Sequence, residues 1–246
     1  MGIPEVFRMA ASTAVVTGSG LAPVRWPGRI AASVAYGETG VPAAPAVEGH
    51  PGKLILLETS KGSLIVFAGR THLYEGGEAG GAAAAAASLG CRRIILTHAA
   101  GSLKRSLPVG SWLAPSGAVS LPWSVLDECG GRPTVSARLR KSAAAAALAA
   151  GIEVRGGTIY WTPGPMYETP AEASAAALMG ADAATMSLLP ELCAAAENGL
   201  EVASLAFITN FAPSVKGCPT GHEEVLKAGR KGSQELFRML PELAGI

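Results

Sequence analysis

The sequence predicts a single α/β domain that spans residues 1–246. The length suits one large domain, and a hydrophobic content of 49% is ample for a core. Short β-branched, apolar runs such as Thr13 to Thr17 and Val202 to Ile208 predict buried strands. Between such runs lie stretches that favour helices, including the alanine runs 82–87 and 143–147, because alanine has the highest helix propensity.

The composition argues against several classes of function. With 20 basic and 19 acidic residues, the net charge of +1 does not suit nucleic acid or a charged membrane surface as the main partner. No signal-peptide pattern is visible, and the longest uncharged run contains three prolines. The four cysteines lack Cys-x-x-Cys spacing, so we expect reduced thiols in a cytoplasmic protein. The four histidines show no metal-ligand spacing, so we expect no metal.

The first predicted strand, Thr13 to Thr17, leads directly into the loop Gly18-Ser19-Gly20. A strand that feeds such a loop points backbone N–H groups and a hydroxyl at one spot, which suits an anion. A dinucleotide-binding fingerprint does not fit, since no third glycine follows and Pro23 and Pro27 prevent the expected helix. A serine hydrolase that uses Ser19 is a remote alternative, because the chain has no Gly-x-Ser-x-Gly elbow.

A second candidate anion-binding segment follows a predicted hairpin of strands Leu54 to Glu58 and Leu64 to Ala68. Alternate residues of an extended segment share a face, so we predict that Arg70, His72 and Tyr74 point the same way. A guanidinium can hold phosphate with two hydrogen bonds, and the imidazole adds another donor. The alternative is an exposed edge strand with a satisfied histidine. The Gly-Ser-Gly loop earlier in the chain favours the anion site.

The middle of the chain continues the alternation of helices and strands. We predict that all four histidines lie in loops or at element ends, including His98 in a turn after a strand. The predicted elements are a helix at Gly77 to Leu89, strands at Ile94 to Thr97 and Trp112 to Ser120, a helix at Ala137 to Ala150 and a strand at Ile152 to Tyr160.

The stretch from Thr162 to Pro190 carries the most information. Thr169-Pro170-Ala171-Glu172 reads as a capping box with proline at the first helical position, and it begins a helix that runs to Met179. Ala183 to Met186 follows as a short buried strand. Glu168 and Ser187 therefore lie on loops where elements change over, which is where α/β folds place groups that contact ligands.

The last part of the chain repeats this arrangement. A helix from Pro190 to Glu197 precedes the strand Val202 to Ile208, and Asn210 follows at its carboxyl end, where α/β sheets bind ligands. Thr220-Gly221-His222-Glu223 predicts a second capping box for a final helix that runs to Leu240. His222 would lie in the first turn of this helix, where the helix dipole disfavours its charged form.

The segments GPMYETPAE, GADAATMS and AFITN, in this order and spacing, resemble the purine nucleoside phosphorylases that act on inosine and guanosine. The resemblance runs from Thr13 to Leu240. It implies a mixed, twisted central sheet flanked by helices and a homo-oligomer, typically a trimer. It also implies reversible phosphorolysis of purine (deoxy)ribonucleosides to the free base and (deoxy)ribose 1-phosphate. Inorganic phosphate would be the co-substrate, and no cofactor would be needed.

The resemblance further implies a role for each candidate site residue. Phosphate would be bound by Ser19, His50, Arg70, His72, the Ala99 amide and Ser187. Ribose would be held by Tyr74, Tyr167, Met186 and His222. The purine would be held by Glu168 and Asn210, and the residues closest to the chemistry would be Asn210, Glu168 and His72.

Several positions depart from the family's pattern. His98 stands where the family has asparagine, and Ser102 stands in place of a second glycine. The segment from Trp123 to Arg138 and the loop 211–221 are short. The first of them holds no obvious equivalent of the phenylalanine that family members insert into the ribose site of a neighbouring subunit, and Trp123 could substitute for it. Two further readings stay open: a 5′-methylthioadenosine phosphorylase, which favours aspartate at the position of Asn210, and a family member that binds nucleosides without turnover.

Overall fold

The computed structural model of the chain describes residues 2–39, 45–76, 79–120, 129, 133–216 and 222–246. Trp123, the Thr220-Gly221 part of the second predicted capping box and the side chain of His222 lie outside the described residues. Within the described ranges, no helix combines the length and the apolar character that a membrane span requires.

One mixed sheet of nine strands forms the centre of the fold in the part of the chain that the structure describes. The strands run in the order β2-β3-β4-β1-β5-β8-β7-β6-β9. Their bounds are β1 Thr13–Thr17, β2 Arg29–Ala35, β3 Lys53–Thr59, β4 Gly62–Ala68, β5 Arg93–Ser102, β6 Trp112–Ser120, β7 Val154–Trp161, β8 Ala183–Thr185 and β9 Glu201–Phe211.

Helices flank this sheet, so the predicted α/β fold with a mixed sheet is confirmed. Two short 3-10 turns, Glu5–Phe7 and Leu73–Glu75, accompany them. The α-helices of the described residues are α1 Tyr36–Thr39, α2 Gly81–Ser88, α3 Ala137–Ala149, α4 Pro170–Leu178, α5 Leu189–Glu197, α6 Pro213–Lys216 and α7 His222–Ala244.

The strand pairings close on themselves at one side of the sheet. β5 pairs with β8 antiparallel and with β9 in parallel. β8, β7, β6 and β9 pair in turn, so that β9 returns to β5 and completes a circuit of five strands. Strand β5 also pairs in parallel with β1. It therefore lies where the open part of the sheet meets the circuit.

Strand β5 is longer than the sequence predicts. The prediction ended the strand at Thr97 and placed His98 in a turn, whereas the strand continues to Ser102. The physical reason is pairing: β9 lies alongside β5 in parallel from Arg93↔Glu201 to Ser102↔Phe211. The backbone groups of the expected turn are therefore satisfied within the sheet.

Small side chains make up much of the core. Ala83 and Ala86 of α2 are fully buried, as are Ala203 and Ala206 of β9. Such residues let helices and sheet approach closely, because interiors are packed to the density of organic crystals.

The capping prediction for α4 is confirmed. Thr169 Oγ1 accepts a hydrogen bond from the backbone N–H of Glu172 (3.3 Å), and the Glu172 carboxylate accepts one from the backbone N–H of Thr169 (2.8 Å). Pro170 opens the helix, as predicted. Glu168 therefore lies directly before a helix start that is held in place by the side chains of Thr169 and Glu172.

Candidate active site

A cleft opens at the carboxyl ends of β1, β5 and β9, beside the end of β8. Its lining encloses about 730 Å³ of space, part of which is open solvent. Most of the predicted site residues line it: Ser19, His72, Tyr74, Ala99, Tyr167, Glu168, Met186, Ser187 and Asn210. The lining also contains residues that the sequence did not single out: Val47, Ala100, Gly101, Ala184, Thr185, Thr209, Ala212, Pro213 and Val225.

His50 does not line the cleft, but it supports Ser19 from behind. Its Nε2 lies 2.8 Å from Ser19 Oγ, and its Nδ1 accepts a hydrogen bond from the backbone N–H of Arg70 (3.2 Å). With Nδ1 acting as an acceptor, the proton of a neutral His50 is on Nε2, which donates it to Ser19. The hydroxyl hydrogen of Ser19 is then left for an anion in the cleft.

His72 is held by Glu75, a residue to which the sequence analysis gave no role. Glu75 Oε1 accepts hydrogen bonds from the His72 backbone N–H (2.6 Å) and from His72 Nδ1 (3.0 Å). Burial alone would raise the pKa of Glu75, but hydrogen bonds from His72 and from the Ala46 N–H outweigh it and lower the pKa. The carboxylate thus keeps the Nδ1 proton, and Nε2 faces Ser187 Oγ at 3.4 Å. The spacing of three residues between His72 and Glu75 is the signal that could have revealed this pair.

Arg70 differs from its prediction. His72 and Tyr74, whose rings stack at 5.1 Å, line the cleft, whereas Arg70 does not, because its guanidinium is bound by Glu191 and Thr97. The predicted common face is therefore wrong for Arg70. Its Nε donates to Glu191 Oε1 (2.9 Å) and its Nη1 donates to the Thr97 carbonyl (2.8 Å).

The pair of Arg70 and Glu191 is buried behind the cleft, with each side chain only 2% exposed. Arg70 Nη2 is buried without a hydrogen-bond partner among the described residues. A contact of Arg70 with phosphate stays a prediction, and Nη2 is the atom that could make it. No local sequence pattern indicates this ion pair, because its two residues are 121 positions apart.

The two predicted purine-binding residues line the same cleft: Glu168 lies in the loop before α4, and Asn210 lies near the end of β9. Thr209 Oγ1 donates to Asn210 Oδ1 (2.8 Å), and Asn210 Nδ2 donates to the Phe211 carbonyl (3.2 Å). Gly101 stands opposite Asn210 in the sheet, and a Cβ at this glycine would lie 2.9 Å from Asn210 Nδ2. Burial raises the pKa of Glu168, with a smaller contribution in the same direction from the charge of Glu172.

The predicted ribose-binding residues Tyr74 and Met186 approach each other across Gly164. A Cβ on this glycine would lie 2.6 Å from Tyr74 Cδ1 and 2.7 Å from Met186 Sδ, so only glycine fits. Tyr167 lies at the rim and is 39% exposed. Val225, in the first turn of α7, lines the cleft and brings the start of this helix to it. The predicted contact of the His222 side chain lies outside the described residues.

Comparison with known proteins decides the family. The family model described as Phosphorylase superfamily matches residues 14–244. The purine nucleoside phosphorylase of Mycobacterium tuberculosis is 32% identical over 245 residues, which cover 94% of this chain and 87% of that protein. The chain belongs to the purine nucleoside phosphorylase family. Purine nucleoside phosphorylase 1 of Geobacillus stearothermophilus is 29% identical, with 97% and 92% of the two chains covered.

Solved structures of this family agree with the fold. The Schistosoma mansoni purine nucleoside phosphorylase in complex with inosine has a TM-score of 0.79 and 26% identity, and the match covers 96% of this chain and 90% of that one. A Schistosoma purine nucleoside phosphorylase in complex with guanosine has a TM-score of 0.78 and 25% identity, with 96% and 91% covered.

His98, a departure from the family's pattern, is a fully buried core residue and not a loop residue as predicted. Its Nε2 lies 2.9 Å from Ser204 Oγ, and its Nδ1 lies 3.3 Å from the Ala99 carbonyl oxygen. Burial, together with the nearby charge of Arg70, lowers the pKa of His98 to about 3. A neutral His98 therefore donates from Nδ1 to Ala99 and supports the backbone that lines the cleft.

Among the described residues, no group of three or more His, Cys, Asp or Glu side chains is arranged to hold a metal ion.

Proposed function

We propose that the protein catalyses the reversible phosphorolysis of purine (deoxy)ribonucleosides, with inosine and guanosine as its preferred substrates. Family membership supports the reaction class, that of a pentosyltransferase. The observation that carries the finer proposal is that one cleft is lined both by Ser19, His72 and Ser187, which we assign to phosphate, and by Glu168 and Asn210, which we assign to the purine. Inorganic phosphate is the co-substrate, and no cofactor is part of the proposal.

In this reaction, phosphate itself attacks the anomeric carbon. The bond from C1′ to N9 breaks as the bond from C1′ to a phosphate oxygen forms, through a transition state that resembles an oxocarbenium ion. Ser19 and His72 orient the phosphate. Negative charge develops on the departing purine, where the Asn210 amide and the Glu168 carboxylate contact N7, O6 and N1. Holding both substrates in one cleft supplies a further large share of the rate enhancement.

We also propose that the protein forms a homo-oligomer. Four apolar side chains at the two ends of α4 are exposed: Met166 (81%), Tyr167 (39%), Leu178 (89%) and Met179 (39%). Exposed large apolar side chains are the kind of surface that an interface between copies of the chain would cover. A trimer follows from the family resemblance alone, and a cytoplasmic location rests on the cysteine composition.

Base release from inosine, guanosine, adenosine and 5′-methylthioadenosine, each with and without phosphate, tests the proposed function. We expect turnover of inosine and guanosine only with phosphate, and ribose 1-phosphate as the second product. Equal base release in phosphate-free buffer would contradict phosphorolysis. Preference for 5′-methylthioadenosine would favour a 5′-methylthioadenosine phosphorylase. Nucleoside binding without turnover would show that the chain is a binding protein only.

A further inference from the structure

Thr185, the last residue of β8, makes two hydrogen bonds through one hydroxyl at the end of the cleft that we assign to phosphate. Its Oγ1 donates to the Ala99 carbonyl oxygen (2.9 Å) and accepts from the backbone N–H of Ser187 (3.2 Å). The side chain is only 6% exposed, although the residue lines the cleft. Thr185 thus joins two residues on different elements, Ala99 and Ser187, to which the proposed function assigns phosphate.

This hydroxyl acts at the point where β5 and β8 separate. The two strands pair only at Gly101↔Ala184 and Ser102↔Ala183. On one side the Leu103 N–H continues the pairing by donating to the Asp182 carbonyl (2.9 Å). On the cleft side the register ends at Gly101↔Ala184, and the Thr185 side chain makes the connection to Ala99. Because His98 Nδ1 also approaches the Ala99 carbonyl, this carbonyl is held from two sides.

The turn after Thr185 needs such support. Leu188 has φ of +92°, a left-handed conformation that is strained for a residue with a branched side chain. Its backbone N–H donates to Glu191 Oε2 at 3.3 Å. The N–H of Ser187 is held by Thr185, and the N–H of the next residue, Leu188, is held by Glu191. The position of Ser187 therefore depends on both side chains.

We propose that Thr185 is a positioning residue that sets the spacing between Ala99 and Ser187 and thereby shapes the phosphate subsite. The inference rests on the proposed function, since it assigns phosphate to this end of the cleft. A hydroxyl has one hydrogen, and Thr185 donates it to Ala99, so this side chain offers no donor to a ligand. Its effect on phosphate is therefore exerted through the backbone at Ala99 and Ser187.

The test compares variants that keep or lose the hydroxyl. T185V preserves the shape and removes both hydrogen bonds, whereas T185S keeps the hydroxyl. We expect T185V to raise the KM for phosphate about tenfold, because both hydrogen bonds of the Thr185 hydroxyl are lost. The KM for inosine should change less than about twofold. T185S should stay close to the wild type. T185A, which also lacks the hydroxyl, repeats the test if T185V does not fold.

A control variant is T13V, which removes a buried threonine hydroxyl that donates to the Ile246 carbonyl (3.3 Å) outside the cleft. T13V should leave both KM values unchanged. An unchanged phosphate KM in T185V, an equal rise for phosphate and inosine, or the same loss in T185S would overturn the positioning role. A wild type that releases base without phosphate would instead overturn the proposed function, before any variant is compared.

Discussion

The Asn210 amide is oriented by its neighbours in the chain. Thr209 donates to Oδ1 and Nδ2 donates to the Phe211 carbonyl, so both ends of the carboxamide have defined partners along β9. A substitution at residue 210 therefore acts on a side chain whose orientation is set by the Thr209 hydroxyl and the Phe211 carbonyl.

We predict that N210D shifts the ratio of kcat/KM for adenosine to that for inosine upward by about tenfold. Adenine carries a 6-amino group, which faces the donor of the wild-type amide, and an unpaired buried donor costs about 1 to 3 kcal/mol. A protonated aspartic acid can accept from that amino group. Steady-state rates with both nucleosides provide the measurement. If both activities fall in equal proportion, Asn210 does not read the base.

Arg70 is important for stability as well as for any contact with phosphate. We predict that R70A lowers the free energy of unfolding by about 3 to 5 kcal/mol, because it leaves the buried Glu191 carboxylate without its partner. Urea denaturation measures the loss. The control is the double variant R70A/E191Q, in which the side chain left behind at position 191 is neutral. This double variant should be less destabilised than R70A. A single variant as stable as the wild type would show that the ion pair contributes nothing.

At the scale of elements, the start of α4 links a helix cap to the site. We predict that T169A lowers the free energy of unfolding by about 1 kcal/mol and raises the KM for guanosine, since the frayed first turn adjoins Glu168. S136A is the matched control: Ser136 Oγ accepts from the Leu139 N–H (3.1 Å) and caps α3. Chemical denaturation and steady-state kinetics should show that both variants lose stability and that T169A alone changes the KM. The same KM change in S136A would refute the link.

Elements that depend on local patterns could be predicted from the sequence. β1 and β6 have the predicted bounds, and the Thr169 cap forms as expected. β2 was missed because its residues are half-buried or exposed and show little alternation. The length of β5 and the direction of Arg70 depend on partners far along the chain, β9 and Glu191, which no local pattern reveals.

At the scale of the whole molecule, the buried His98 should make stability depend on pH. Its folded pKa of about 3 lies below the ordinary value of 6.5, so the unfolded chain binds more protons between these two pH values. Stability therefore falls as the pH is lowered from 6.5 towards 3, by at most about 1.4 kcal/mol for each pH unit.

We predict that H98N, which removes this titration, has a flatter profile of unfolding free energy over that range. Urea denaturation of both proteins at several pH values tests this. The lowered pKa of Glu75 also makes stability fall as the pH falls, but it does so in both proteins. The difference between the two profiles therefore isolates His98. Parallel profiles would contradict the assignment.

The closed circuit of strands has a consequence for synthesis on the ribosome. β9 completes the circuit by pairing with both β5 and β6, and it also brings Asn210 to the cleft. A nascent chain that has not yet emerged beyond Glu201 has an unpaired edge on each of those strands, and exposed edges promote association between chains. Premature termination before β9 is therefore expected to give an aggregating fragment, not a weaker enzyme.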